Sequence, residues 1–204
     1  MRQKGKYTLF TLEEFALWLH GNTFFRPVIL IQNHHTFIPS YEDFKGDNHL
    51  VLCEEMEQGH LERGFAEIAQ NLTTFPDGTV AICRSFDKDP AGIKGANQGA
   101  ICIEHLGNFD LKKDEMTTAQ QEAVVRLNAL LCKKFHLLPG LETIVYHHWY
   151  DRNTGLRTDG SGFTKTCPGT NFFSGNTVAA SSNYFIPLIT AALSSLANEA
   201  AEKV

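Results

Sequence analysis

Apolar positions along this chain fall into two patterns, short continuous runs of strand length and longer stretches at helical spacing, and the two alternate. Thr11 with Glu14 forms a capping box that predicts a helix over Leu12 to His20, closed by Gly21-Asn22. Val28-Ile29-Leu30-Ile31 is a run of strand length, and the pair His34-His35 falls just past its end. Asn71 to Phe75 and Thr79 to Cys83 flank Pro76-Asp77-Gly78, a hairpin signal. Ala100-Ile101-Cys102-Ile103 reads as a buried strand that delivers Glu104 at its end. Thr118 with Gln121 predicts a second capping box, followed by Val124, Leu127, Leu131 and Phe135 at helical spacing until Pro139-Gly140. Thr143 to Tyr146 is the next strand, and His147-His148 follow it directly. Residues 151–163, rich in Asp, Asn, Gly, Ser and Thr, predict a loop. From Val178 to Val204, Ala and Leu recur at partly helical spacing interrupted by Pro187. Alternating strands and helices predict an α/β fold: one domain over residues 1–204, with a central mixed β-sheet flanked by helices.

Composition narrows the class. With 204 residues, 43% hydrophobic and 20% charged, the chain is long enough to bury a sizeable core. A net charge of -5 without a basic run argues against a sequence-independent nucleic-acid binder. The basic start, Met1 to Lys6, leads to Glu13-Glu14 rather than an apolar segment, so no secretory signal is visible, and no segment is long enough to span a bilayer. Five cysteines, at 53, 83, 102, 132 and 167, are odd in number and include no CxxC, which argues against a disulfide framework.

The candidate chemistry lies at the predicted strand ends, where ligands bind in open α/β sheets. One histidine from His34-His35, one from His147-His148 and the Cys167 thiolate of Lys165-Thr166-Cys167-Pro168-Gly169 would supply three zinc ligands and leave the fourth position open. Glu104 directly follows an apolar strand, a place where a carboxylate is costly unless it is exposed or has a specific task.

His34-His35-Thr36, Phe75-Pro76-Asp77-Gly78-Thr79, the run Gly99 to Phe109, His147-His148 and Lys165 to Gly169 occur in the order found in one family. Together they resemble the zinc-dependent N-acetylmuramoyl-L-alanine amidases of the amidase-2 and peptidoglycan-recognition type, most closely clostridial and phage lysin domains. The similarity runs from about Val28 to Phe173. The resemblance implies Zn2+ as cofactor and His34, His147 and Cys167 as its ligands. It implies Glu104 as general base and Lys165 beside the scissile carbonyl. The expected partner is bacterial peptidoglycan, and the expected reaction is cleavage of the amide between N-acetylmuramic acid and L-alanine. Such an enzyme would be made in the cytoplasm and act on the cell wall. Asn71 and Thr36 are candidate peptide contacts, and Phe37 or Trp149 could pack on sugar rings. Two departures stand out: the loop between His147-His148 and Cys167 is much longer than in a small phage amidase, and Gln70 falls where many relatives carry a tyrosine. Two alternatives compete with the amidase reading. One is a recognition module of the same fold that binds without cleaving; the other is a cysteine hydrolase using Cys167 as nucleophile.

Overall fold

The apolar run at Val28 marks a strand that starts later and reaches further than its hydrophobicity suggests. In the computed structural model, which describes the backbone of residues 1–201 and the side chains of residues 1–198, β3 spans Leu30–His35 and both histidines belong to it. Parallel pairing explains the extension, because β3 lies between β6 (Ala100–His105) and β7 (Ile144–Tyr146) and is held on both edges. The remaining strands are β1 (Arg2–Lys4), β2 (Tyr7–Phe10), β4 (Leu72–Thr74) and β5 (Val80–Ile82). The seven run in the order β1-β2-β5-β4-β6-β3-β7. The half from β1 to β4 is antiparallel, and that from β4 to β7 is parallel. The sheet is therefore mixed, as expected, and the Pro76-Asp77-Gly78 turn joins β4 to β5.

Helix α1 (Leu12–Gly21) carries the full capping box: the Thr11 hydroxyl accepts from Glu14 N, and the Glu14 carboxylate accepts from Thr11 N. The second box is not formed as expected. Helix α3 (Thr118–Phe135) is capped one residue earlier by Thr117, whose hydroxyl accepts from Gln120 N at 3.1 Å. Thr117 has the extended backbone a cap requires, while Gln121 turns back to the Met116 carbonyl and cannot complete a reciprocal pair. The chain leaves α3 through His136 in the left-handed conformation. Pro187 does not interrupt the C-terminal helix. α4 (Val178–Ala180), a π-turn (Ser181–Phe185) and α5 (Ile186–Ala201) follow without a break, and the wider turn, with Ile186 N bonded to Ser181 O, sits just where proline lacks a donor. The last three residues of the expected helical tail lie outside the described residues.

Strand alternation sorts the core into two faces. Phe10, Ile31, Leu72, Val80, Ile101 and Ile103 pack with Phe15 and Leu19 of α1 and with Val124, Leu127 and Leu131 of α3. Leu9 and Ala81 turn the other way, against Leu52, Cys53 and Met56 of α2 (His49–Glu62). The α3 face also buries a polar set. Asn33 and Asn128 exchange amide hydrogen bonds of 3.0 and 3.1 Å, and His105 Nε2 lies 3.0 Å from Asn33 Oδ1. No helix among the described residues is long and apolar enough to cross a membrane.

Because the Asn33–Asn128 pair ties the central parallel strand to α3, Asn128→Leu leaves the buried Asn33 Nδ2 without its acceptor, while Oδ1 keeps only His105. The expected loss is about 2–3 kcal/mol of stability, read as a lower urea midpoint at unchanged slope.

Candidate metal centre and cleft

The site is assembled by register. Alternation along β3 turns Asn33 and His35 away from the α2 face and Gln32 and His34 toward it. Parallel pairing sets His34 opposite Glu104 and Gln32 opposite Cys102. On the other edge Asn33 pairs with Tyr146, so the chain leaves β7 into the short helical turn His147–Trp149 level with His34. The two rings meet with 3.2 Å between their Nδ1 atoms.

Cys167 arrives on a loop that is held at several points. His35 N donates to Cys167 Sγ at 3.4 Å, and His148 N donates to Cys167 O at 2.7 Å. Asp110 accepts from Thr166 Oγ1 and from Thr170 N, both at 3.0 Å. Asn176 Nδ2 donates to Thr166 O at 2.7 Å. Gly169 is required for the exit of this loop. It has φ +117°, and a Cβ there would lie 2.3 Å from Phe109 O.

His34, His147 and Cys167 thus each offer one donor atom, and the three lie within 4.8 Å of one another. His34, Cys102 and Glu104 meet the same spacing. That second grouping shares His34 but uses a thiol sealed beneath Gln32 and Gly92, whereas the first opens on the cleft. The other member of each histidine pair is engaged elsewhere: His35 Nδ1 accepts from Phe109 N at 3.1 Å, and His148 Nδ1 lies 2.6 Å from Lys165 O.

Burial sets the electrostatics. It holds His34 well below the ordinary histidine range and His147 at about 3, with the neighbouring imidazole and Lys165 adding to the effect, so both rings are neutral with lone pairs to offer. Burial pushes the Cys167 thiol upward and raises Glu104 to about 8, partly offset by Lys165. Glu104 Oε1 lies 3.9 Å from His34 Nδ1, while its Oε2 is buried without a hydrogen bond among the described residues. Two neutral imidazoles and a thiol are a donor set that a divalent cation would complete, since its charge favours the thiolate, and the same charge would favour the ionised form of the orphaned Glu104 carboxyl beside them.

A cleft of about 730 Å³ opens above these groups. One wall is the end of α2, with Met56, His60 and Arg63; the other carries Arg152, Thr164 and the exposed Lys165. Phe37 stands half-exposed at the rim, and Gln70 lines the interior with an Oε1 that has no hydrogen-bond partner among the described residues. The long loop before Cys167 folds back on Asp151, whose carboxylate accepts from Asn153 N, Thr154 N and Phe163 N.

Two expected substrate contacts do not face the cleft. Trp149 is wholly buried, donates from Nε1 to Asn176 O at 2.8 Å and is covered by Arg157, so neither ring face is free for a sugar. Asn71 is also buried, bonded to Ser85 O, Lys88 O and Cys102 N, because it closes the entry to β4. Thr36 lines the cleft, but its hydroxyl joins Pro39 O to Gly107 N. Arg63, Arg152, Gln32 and Gly92 were not singled out from sequence; only folding places them at the site, and no local motif marks them.

Taken together, these features define an α/β protein with a candidate metal donor set at the carboxyl ends of parallel strands, under a cleft large enough for a substrate. Residues 24–170 match the family described as N-acetylmuramoyl-L-alanine amidase, and the chain belongs to that family. The fold is shared with N-acetylmuramoyl-L-alanine amidase LysC from Clostridium intestinale URNW, at 21% identity and TM-score 0.52 over 72% of this chain and 80% of that one. It is shared as well with Drosophila PGRP-LB, at 20% identity and TM-score 0.58 over 79% and 84%. Peptidoglycan recognition protein-LE, solved in complex with tracheal cytotoxin, aligns at 22% identity and TM-score 0.55 over 72% and 76%. No curated protein matches the sequence.

Gly169→Ala tests the ligand loop. Strain at positive φ plus the contact with Phe109 O should cost at least about 2 kcal/mol of stability, measured by denaturant unfolding.

Proposed function

We propose that this protein hydrolyses the amide bond between N-acetylmuramic acid and L-alanine in peptidoglycan, acting on the bacterial cell wall, with His34, His147 and Cys167 holding a zinc ion. The reading rests on the convergence of those three donors at the cleft floor beside Glu104. Nitrogen and sulfur donors suit zinc, whereas calcium or magnesium would call for oxygen ligands. When bound, zinc supplies Lewis acidity, polarising an amide carbonyl and lowering the pKa of water from 15.7 to roughly 7.

The protein's own groups then divide the work. Glu104 takes a proton from the attacking water and passes it to the nitrogen of the departing L-alanine, so that the C–N bond breaks to a carboxylate and an amine. A carboxyl raised to about 8 by burial returns that proton readily, and the Lys165 charge nearby favours the ionised form needed first. Lys165 also faces the negative charge that develops on the carbonyl oxygen, where one such donor is worth about 3 kcal/mol. Asp110, the nearest downstream acid, is committed to Thr166 and Thr170 and does not form the carboxylate pair that glycosidic cleavage needs.

Binding of muropeptide without cleavage is the second reading, and Gln70 is the observation that favours it. A buried amide replaces the phenol that many relatives place at this position, so any step requiring that phenol is lost. Glu104 leaves a base available, which is why hydrolysis is preferred.

Metal analysis tests the donor set. Purified protein should hold about one zinc per chain, and Cys167→Ala should lose it together with activity. His35→Ala and His148→Ala should keep it, because both rings are engaged outside the donor set. Stoichiometric zinc in Cys167→Ala would overturn the assignment.

Digestion of purified cell walls tests the chemistry. The wild type should release free L-alanine amino groups, located by mass spectrometry, and no new reducing ends. Glu104→Gln should bind zinc normally yet turn over roughly 100- to 10,000-fold more slowly. A zinc-loaded wild type that binds muropeptide and releases nothing would establish the recognition reading instead.

A further inference from the structure

His34 presents its two ring nitrogens to different surroundings. Nδ1 faces His147 and Glu104, while Nε2 points behind the site to Gln32 Oε1 at 3.3 Å. The orientation of the Gln32 amide follows from its other contact. The Ala96 carbonyl can only accept, so the Gln32 atom 2.7 Å from it is the NH2 group. Gln32 Oε1 therefore faces His34, and because this oxygen can only accept, His34 Nε2 must carry the hydrogen.

We infer that Gln32, given room by Gly92, presets His34 as the Nε2–H tautomer, and that His147 is the ligand whose proton moves when zinc binds. The inference rests on the zinc reading above and adds to it which nitrogen is prepared and which must change. A neutral imidazole with its hydrogen on Nε2 has a bare lone pair on Nδ1. Two bare lone pairs 3.2 Å apart repel, so in the metal-free protein His147 carries its hydrogen on Nδ1 and donates to His34. Were zinc held by the two Nδ1 atoms that face each other here, His147 would have to break that N–H bond and form one at Nε2, with no change in charge. His147 is half-buried and lines the cleft, where water can carry the proton. His34 needs no such change. It is a ligand held ready by a hydrogen bond to its remote nitrogen, an arrangement that tunes metal sites generally.

Gly92 is the spatial condition for this. A Cβ at position 92 would lie 2.3 Å from Gln32 Oε1, 2.8 Å from Cys102 Sγ and 3.1 Å from His34 Nε2. Its backbone conformation is ordinary, so the requirement is for space rather than for a left-handed turn. Any side chain here drives the amide oxygen off the ring.

Long-range proton–nitrogen NMR of histidine-labelled, chelator-treated protein reads the tautomers directly, before and after adding one equivalent of zinc. We expect His34 as Nε2–H in both states, and His147 as Nδ1–H before zinc and Nε2–H after it. Gln32→Leu should populate the Nδ1–H form of His34 and weaken zinc affinity about 10- to 100-fold. Gly92→Ala should shift both readouts in the same direction. A metal-free wild type with His34 as Nδ1–H overturns the inference whatever the variants do. So does a folded Gln32→Leu protein with wild-type tautomer and zinc affinity. A wild type that shows His34 as Nε2–H yet binds no zinc removes the zinc reading, and with it the His147 exchange, while leaving the presetting by Gln32 intact.

Discussion

The arrangement depends on β3 being paired in parallel on both edges. Pairing with β6 sets His34 beside Glu104, and pairing with β7 delivers His147 beside His34. A strand slipped by one residue would put His35 in the place of His34 beside Glu104 and turn His34 toward α3, because side chains alternate with a period of two. The chemistry of the site is therefore a consequence of register.

Several buried polar contacts hold that register. Asn33, one residue before His34, meets Asn128 of α3 and His105 of β6, while Thr74 Oγ1 bonds His105 Nδ1 at 2.9 Å. Gln120 adds bonds from α3 to Thr74 O and Leu106 O. Such groups add little net stability when satisfied and cost heavily when misaligned, so they discriminate against alternative pairings more than they strengthen the correct one. The face of β3 that packs on α3 thus positions the face that carries His34.

The third donor is held by different physics. No strand presents Cys167; its loop is fixed by Asp110, Asn176 and two backbone donors, and it follows a long excursion gathered around Asp151. Local side-chain caps make the length of that excursion tolerable, since closing a longer loop costs little extra entropy. The same excursion places Arg152 and Thr164 on the cleft wall and gives this chain a boundary that a short connection could not build.

Much of this was legible in the sequence. Short apolar runs, the Thr11–Glu14 box, the Pro76-Asp77-Gly78 turn and the family motifs determined the strands, the hairpin, α1 and the family, because each is written in neighbouring residues. Where expectation missed, the deciding contact was distant. Trp149 looked like a sugar platform but is enclosed by Asn176 and Arg157. Asn71 looked like a peptide contact but serves Ser85, Lys88 and Cys102. Thr117 rather than Thr118 caps α3 because the backbone is already helical at Thr118, one residue earlier than expected. Nothing local distinguished Gln32 or Gly92, since their contacts exist only once the segment carrying Gly92 and Ala96 packs across the fold against β3. The sequence by itself determined which candidate donor residues this protein has. Only the tertiary structure decided which ring nitrogens converge, because strand alternation and parallel register are properties of paired chains and not of any one segment.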